Sequence, residues 1–134
     1  MIMTKEERTV RAMEARGKGY NCAQAIGLAF SDVTGLDDRT TARSLAGFGG
    51  GVGAQGEVCG VVSGFAFVAG MKGEGLPAEK GEVYRQVREM TEEFRREYGC
   101  ILCRELKAKG NAVPCDELIR RGVEITDRYY RKDA

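Results

Sequence analysis

Apolar residues recur at intervals of three and four along most of this chain, and no stretch of useful length alternates apolar with polar residues. The clearest case is the segment from Glu79 to Tyr98, in which arginine and glutamate fill most other positions. Its apolar positions are Val83, Val87, Met90, Phe94 and Tyr98. This spacing places them on one face of a helix. The pattern predicts an all-α protein, a compact bundle of six to seven helices.

Two helices are predicted near the N-terminus. Thr4 to about Arg16 has the pattern of a polar amphipathic helix with Val10 and Met13 on its inner face. Asn21 is a suitable N-cap for the next helix, and Gln24 three residues later completes a capping box. The buried stripe of that helix is Cys22, Ala25, Ile26, Ala29 and Phe30.

A third helix is predicted from Arg39 to Ala46. Either Asp37 or Asp38 can cap its N-terminus, because a side-chain carboxylate accepts hydrogen bonds from the first backbone N–H groups of a helix. Leu45 and Phe48 are the apolar residues at its end. We therefore expect both to belong to the core.

Glycine and proline residues, which end or interrupt helices, divide the second half of the chain into segments. Gly70 to Pro77 is a predicted surface connector, and Gly99 ends the long helix. A short helical turn is predicted from Cys100 to Leu106, and it ends at Lys109 to Asn111. Pro114 suits the first position of a last helix. The inward face of that helix is Leu118, Gly122, Ile125 and Tyr129.

A glycine-rich loop leads into an apolar segment at the middle of the chain. The loop glycines are Gly47, Gly49, Gly50, Gly51, Gly53 and Gly56. So many glycines indicate positive φ angles or a close approach to the backbone. The segment Val58 to Ala69 is predicted to be a buried central helix, because Gly60 and Gly64 lie four apart and let a neighbour come close. Cys59 then lies in its first turn, where the helix dipole favours a thiolate.

Composition narrows the function. With 134 residues, 43% hydrophobic and 31% charged, the sequence predicts a single domain over residues 1–134 that needs no disulfides for stability. A net charge of +1 without a basic stripe predicts no nucleic-acid partner, and the apolar segment is too short for membrane insertion. Since the first residues lack an apolar leader, we expect a cytoplasmic location. The absence of histidine excludes Cys-His pairs and mixed Cys/His zinc sites.

Five cysteines in a reducing compartment suggest catalysis, redox chemistry or metal binding. They are Cys22, Cys59, Cys100, Cys103 and Cys115, and each falls within the first turn of a predicted helix. Several helix starts that carry thiols indicate helix ends converging on one pocket. There the dipoles and backbone N–H groups stabilise negative charge.

The order of the cysteine motifs resembles a known family. The motifs are Tyr20-Asn21-Cys22-Ala23-Gln24-Ala25, Gly47-Phe48-Gly49-Gly50-Gly51, Cys59-Gly60-Val61-Val62-Ser63-Gly64, Cys103-Arg104-Glu105-Leu106 and the later Cys115. Together they resemble the C-GCAxxG-C-C family, for which a redox role without an assigned substrate is proposed. The resemblance implies that the family's four cysteines correspond to Cys22, Cys59, Cys103 and Cys115. Val61 stands where the pattern usually has alanine, and Cys100 is outside the four.

The leading hypothesis is a thiol–disulfide redox protein, with oxidoreductase activity as the expected enzymatic role. Cys59 is the predicted attacking thiolate and exchanges with Cys22, while Cys103 and Cys115 form a second pair or relay. No cofactor is required. The expected partner is a redox protein or a small thiol. Cys115 lies next to acidic residues that raise a thiol pKa, so we expect it to be a resolving thiol.

Three further expectations follow. The same four cysteines are the right number for an all-cysteine zinc site or an iron–sulfur cluster. Alternatively, the backbone of Gly49, Gly50 and Gly51 lines a pocket for a small anion, with the thiols as accessories. The amphipathic helix Glu79 to Tyr98 can also pair with a copy of itself in a homodimer.

Overall fold

The computed structural model describes residues 2–108, 110 and 112–132. Across these ranges it contains eight α-helices, of which α3 and α7 are single turns, and its one β pairing is an isolated bridge. The helices are α1 (Lys5–Gly17), α2 (Cys22–Ala29), α3 (Ser31–Thr34), α4 (Asp38–Leu45), α5 (Gly60–Met71), α6 (Lys80–Tyr98), α7 (Cys103–Leu106) and α8 (Cys115–Lys132). Two 3₁₀ turns span Ala46–Phe48 and Pro77–Glu79. The all-α prediction is confirmed.

Local capping signals set several helix ends as predicted. The Asn21 side chain accepts from the N–H of Gln24, and Gln24 accepts from the N–H of Asn21 at the start of α2. Thr4 caps α1 with a second capping box, and Asp37 caps α4. Gly99 ends α6 with a left-handed φ of 80°. These ends depend on side chains within four residues, which explains why the sequence alone locates them.

Helix α2 lies at the centre and packs against α1, α4, α5 and α8. Two glycines of α5 allow its contact with α2. A Cβ on Gly64 would lie 2.7 Å from the Cβ of Ile26, and one on Gly60 would lie 3.0 Å from the backbone nitrogen of Ala23. The predicted close approach at Gly60 and Gly64 is therefore confirmed.

The predicted inner face of α1 is wrong in part. Val10 is 57% exposed, although Met13 packs against the core. The inner face instead carries Arg8, Ala12 and Ala15, and Arg8 is fully buried. An apolar pattern cannot reveal this face, because its largest side chain is charged.

The buried Arg8 is the centre of an ion-pair network that reaches the surface at Arg131. It is here called the Arg8 cluster: Arg8, Asp32, Asp127 and Arg131. The Arg8 guanidinium donates to Asp127 Oδ1 at 3.0 Å, to Asp32 Oδ1 at 2.6 Å and to the Ala29 carbonyl at 2.9 Å. Arg131 donates to the second oxygen of Asp127 at 2.8 Å. The positive charge therefore lies at the C-terminal end of α2, where the helix dipole favours it.

The prediction for the end of α4 is half right. Leu45 is 2% exposed and belongs to the core, but Phe48 is 41% exposed in the following 3₁₀ turn. A tighter turn rotates Phe48 away from the face that α4 buries. The predicted break at Lys109 and Asn111 lies outside the described residues. Over the part of the chain that the structure describes, no helix is both long and apolar enough to cross a membrane.

Candidate functional site

Four cysteines line one cavity. Cys22, Cys103 and Cys115 are the first residues of α2, α7 and α8, and Cys59 is the N-cap of α5. The cavity has a volume of about 230 Å³ and is called the thiol cavity below. Its other lining residues are Arg16, Asn21, Gly50, Gly60, Leu106, Lys107 and Leu118. The structure thus brings together the four thiols that the motif order singled out.

A short backbone ladder brings Cys59 and Cys103 together. Val58 pairs with Leu102 in an antiparallel bridge, and the Cys59 N–H donates to the carbonyl of Ile101 at 2.8 Å. The residues that follow the bridge on the two segments are the start of α5 and the start of α7. Cys59 and Cys103 therefore enter the cavity from neighbouring segments although they are far apart in sequence.

The same contact fixes the glycine-rich loop beside the cavity. The N–H of Cys103 donates to the Glu57 carbonyl at 2.6 Å, and the N–H of Arg104 donates to the Gly56 carbonyl at 3.1 Å. The Arg104 side chain also pairs with the Glu57 carboxylate at 3.1 Å. The first N–H groups of α7 are thus used by the loop.

Burial sets the protonation of two cavity thiols. Cys59 is 3% exposed, and burial raises its pKa to about 11. Cys59 makes no side-chain cap hydrogen bond, and the nearby N–H groups of Val61 and Val62 only partly oppose this rise. Burial also raises the pKa of Cys22 to about 12, and the neighbouring Cys115 adds to the rise. The predicted thiolate character of Cys59 is therefore wrong, because desolvation outweighs the helix dipole.

Cys115 behaves in the opposite way. Burial acts to raise its pKa, but the hydrogen bond and charge of Lys107 outweigh it, with help from a Cys22 hydrogen bond and the Arg16 charge, so the pKa is lowered. The expectation that neighbouring acidic residues raise this pKa is wrong. A residue beside Cys115 in sequence has less effect than the cations that the fold brings to its sulfur. Cys115 is thus the thiol most easily ionised among those whose pKa departs from the ordinary value.

The comparison with family models agrees with the motif order. Residues 20–129 match the family described as "Putative redox-active protein (C_GCAxxG_C_C)". The chain belongs to this family. The predicted resemblance is confirmed over a span that contains all four cavity cysteines. No curated protein and no solved structure matches the chain.

Cys100, which the family pattern does not include, lies apart from the cavity. It falls between α6 and α7, so the predicted position in the first turn of a helix is wrong for this cysteine. Its sulfur lies 3.7 Å from the Tyr98 carbonyl oxygen. Extended backbone at Leu102 delays the start of α7 to Cys103, because this segment pairs with Val58.

The glycine-rich loop has a left-handed backbone beside the cavity. Consecutive residues from Gly50 to Ala54 all have positive φ, including the non-glycine residues Val52 at 63° and Ala54 at 61°. Gly50 lines the cavity, whereas a Cβ on Gly49 would meet Asn21 and one on Gly51 would meet the backbone of Glu57. The N–H groups of residues 52–57 donate to carbonyls of residues 47–52. These six groups hold the loop in shape and do not point to an anion.

Metal binding by the family cysteines was the main alternative. Among residues 2–108, 110 and 112–132, no group of three or more cysteine, aspartate or glutamate side chains is placed to hold one ion. The thiols as arranged therefore do not form a ready zinc or cluster site. Metal binding stays a prediction, and metal analysis of protein purified without oxygen tests it.

Sequence reasoning missed the two cations of the cavity. Arg16 lies in the last turn of α1, and Lys107 directly follows α7. Lys107 is four residues after Cys103, a spacing that places two side chains on one side of a helical turn. That spacing was the one available signal, and nothing local indicated that Arg16 would face the same cavity.

Proposed function

We propose that this protein is a thiol–disulfide redox protein in which Cys115 attacks and Cys22 resolves. The observation that supports this assignment is that Cys22, Cys115 and Lys107 line the same thiol cavity, where Lys107 acts to lower the pKa of Cys115. A thiolate is the nucleophile in disulfide exchange, and a nearby ammonium group stabilises it. Cys115 therefore replaces Cys59 as the attacking residue.

The exchange proceeds in two balanced steps. First, the Cys115 thiolate attacks a substrate disulfide, a bond forms between Cys115 Sγ and one substrate sulfur, and the other leaves as a thiolate. Next, Cys22 attacks Cys115 Sγ, its thiol proton passes to a departing substrate thiolate, and the mixed disulfide breaks. The substrate gains two electrons and becomes a pair of thiols. Cys22 and Cys115 become a disulfide.

Cys59 and Cys103 form the second pair. The backbone ladder holds their segments side by side, and both side chains line the cavity that contains Cys22 and Cys115. Exchange between the pairs would reduce the Cys22–Cys115 disulfide and oxidise Cys59 and Cys103 in its place. Because Cys59 is 3% exposed, this pair reacts through the other thiols and not directly with a large partner.

Mapping of disulfides tests the assignment. Reduced protein is treated with a mild oxidant, quenched with an alkylating reagent and analysed by mass spectrometry before and after reductant. The expected product is a reversible bond between Cys22 and Cys115. In Cys22→Ser the mixed disulfide on Cys115 should accumulate, because no resolving thiol remains, while Cys115→Ser should form neither species.

Cys100→Ser is the matched control, since this cysteine does not line the thiol cavity. It should form the Cys22–Cys115 bond at the wild-type rate. Absence of any reversible bond among the four cavity cysteines would show that the exchange mechanism is wrong. A first bond at Cys59 would keep the redox function and reject the assignment of Cys115.

A further inference from the structure

The charged residues that line the thiol cavity are positive. Arg16 and Lys107 line it, and none of the described residues that line it is acidic. The nearest carboxylate shown beside either cation is that of Asp116, which lies 3.7 Å from Arg16 Nε with a side chain that is 58% exposed. Because solvent screens an exposed carboxylate, Asp116 offsets the cavity charge only in part.

Backbone carbonyls orient both cations. Lys107 Nζ donates to the carbonyl of Val113 at 2.8 Å, and Arg16 Nη1 donates to that of Tyr20 at 3.1 Å. An ammonium group has three donors and a guanidinium has five, so these single bonds fix the direction of each head and leave further donors. Both cations also act on the sulfur of Cys115. They are therefore fixed where a reacting molecule enters.

The size of the cavity limits what can enter. A volume of about 230 Å³ is below the range of roughly 300–1,000 Å³ that is common for ligand pockets. Cys22 and Cys115 are both partly buried within it. A disulfide in a folded protein is flanked by backbone on both sides. It therefore does not reach the recessed sulfur of Cys115 unless one of the two proteins changes conformation. A small free disulfide does reach it.

Resting on the proposed function, we propose that the substrate is a small disulfide that carries a carboxylate, which Arg16 and Lys107 bind while Cys115 attacks its sulfur. The carboxylate stays paired with the cations through both exchange steps. Two electrons pass from the Cys22 and Cys115 thiols to the substrate. The products are two small thiols, of which at least one carries the carboxylate, and the Cys22–Cys115 disulfide.

Three symmetric disulfides of similar length test this recognition: dithiodipropionate with two carboxylates, bis(2-hydroxyethyl) disulfide without charge, and cystamine with two ammonium groups. Reduced full-length protein is mixed with each in excess. Samples are alkylated at intervals, and formation of the Cys22–Cys115 bond is followed by mass spectrometry. Since one turnover is measured, no external reductant is needed.

We expect the anionic disulfide to react about tenfold faster than the neutral one and the cationic disulfide to be slowest, with the preference reduced by added salt. Arg16→Gln and Lys107→Gln should each reduce the ratio of anionic to neutral rates. A change in the thiolate fraction of Cys115 multiplies every rate equally, so this ratio reports binding of the carboxylate alone. Arg43→Gln, an exposed charge change outside the cavity, should keep the wild-type ratio.

The outcomes separate this inference from the proposed function. A ratio near one in the wild type, with rapid formation of the Cys22–Cys115 bond, would overturn the substrate class and leave the redox function in place. An anionic preference that survives in both cavity variants would assign recognition to other residues and reject the role of Arg16 and Lys107. No Cys22–Cys115 bond with any of the three disulfides would overturn both.

Discussion

The two ends of α1, α2 and α8 hold buried polar groups in opposite ways. At one end Arg8 donates to Asp127, to Asp32 and to the carbonyl of Ala29, the last residue of α2. At the other end Cys22 and Cys115 stand at the first turns of α2 and α8 and interact with each other. Helices α2 and α8 thus have a fixed cation near their negative ends and ionisable thiols at their positive ends.

This difference between the two ends suggests that they have different roles, one in stability and the other in thiol chemistry. A buried guanidinium has many donors, and losing its acceptors is costly, so the Arg8 cluster has one low-energy arrangement. A buried neutral thiol costs little to bury and can lose a proton or form a new bond. The molecule is therefore expected to depend on the Arg8 end for folding and on the cavity end for reactivity.

The largest effect is expected from Arg8→Met. This change removes the Arg8 bonds to both Asp32 and Asp127 and leaves Asp127, only 5% exposed, with Arg131 as its remaining ion-pair partner. Loss of one member of a buried pair costs about 3–5 kcal/mol in the free energy of unfolding. Urea unfolding measures the loss. Arg95→Met, which removes a surface ion pair with Glu92, is the matched control and should have a small effect. Equal effects of the two variants would show that the Arg8 end does not dominate stability.

The second prediction separates the two ends by pH. A cysteine thiol in the unfolded chain has a pKa of about 8.5. In the folded protein the pKa of Cys59 is raised to about 11. Between these pH values the folded state binds more protons than the unfolded state, so the free energy of unfolding falls as pH rises. Cys59 accounts for a fall on the order of 3 kcal/mol over this range. Cys59→Ala should make the alkaline loss shallower in urea unfolding at several pH values.

Asp32 supplies the matched contrast. Although burial acts to raise its pKa, hydrogen bonds from Arg8 and the Met3 backbone lower the pKa below its ordinary value. Its contribution is therefore present above roughly pH 4 and is lost as pH falls further. Asp32→Asn should flatten the acid limb and leave the alkaline limb unchanged. If both variants alter the same limb, the two ends are not independent.

Gly60→Ala is expected to have an intermediate effect, confined to the cavity end. The new methyl would lie 3.0 Å from the Ala23 nitrogen and 3.2 Å from the Cβ of Cys22, so α5 must shift at a cost of about 1–3 kcal/mol. The rate of Cys22 alkylation should change with it. Gly70→Ala on the same helix meets nothing within 4 Å and should stabilise by about 0.5–1 kcal/mol. A Cys22 rate unaltered by Gly60→Ala would disprove the coupling.

The smallest effect is expected from Ala54→Gly in the left-handed loop. Alanine at a φ of 61° is strained, and glycine relieves a cost that exceeds its extra backbone entropy, for a net gain of about 0.5–1 kcal/mol. Ala78→Gly, in the right-handed 3₁₀ turn Pro77–Glu79, should instead destabilise the protein. A loss at Ala54 equal to the loss at Ala78 would mean that the loop is not strained. Thermal unfolding measures both.

What the sequence could predict depends on how far apart the interacting residues are. The cap of Asn21 and Gln24 involves residues three apart, and the glycines of α5 need one neighbouring helix, so both predictions were correct. The buried face of α1 was predicted wrongly because Arg8 is neutralised by Asp127, 119 residues away. No local pattern contains that pairing.

The candidate site divides in the same way. The motif order identified Cys22, Cys59, Cys103 and Cys115, and all four line the thiol cavity. The expected pKa directions of Cys59 and Cys115 were wrong, because the pKa of a thiol depends on burial and on cations brought by the fold. Lys107 lowers the pKa of Cys115, although no periodic pattern in the sequence connects the two residues.

The residues that line the thiol cavity are translated at widely separated times. The four sulfur atoms come from positions 22 to 115, and α8 supplies the last of them. A nascent chain on the ribosome therefore exposes Cys22 and Cys59 before Lys107 and Cys115 have been translated. Until α8 docks, these early thiols lack the cavity wall that α8 supplies, so the raised pKa values of Cys22 and Cys59 apply only once α8 has been translated and packed.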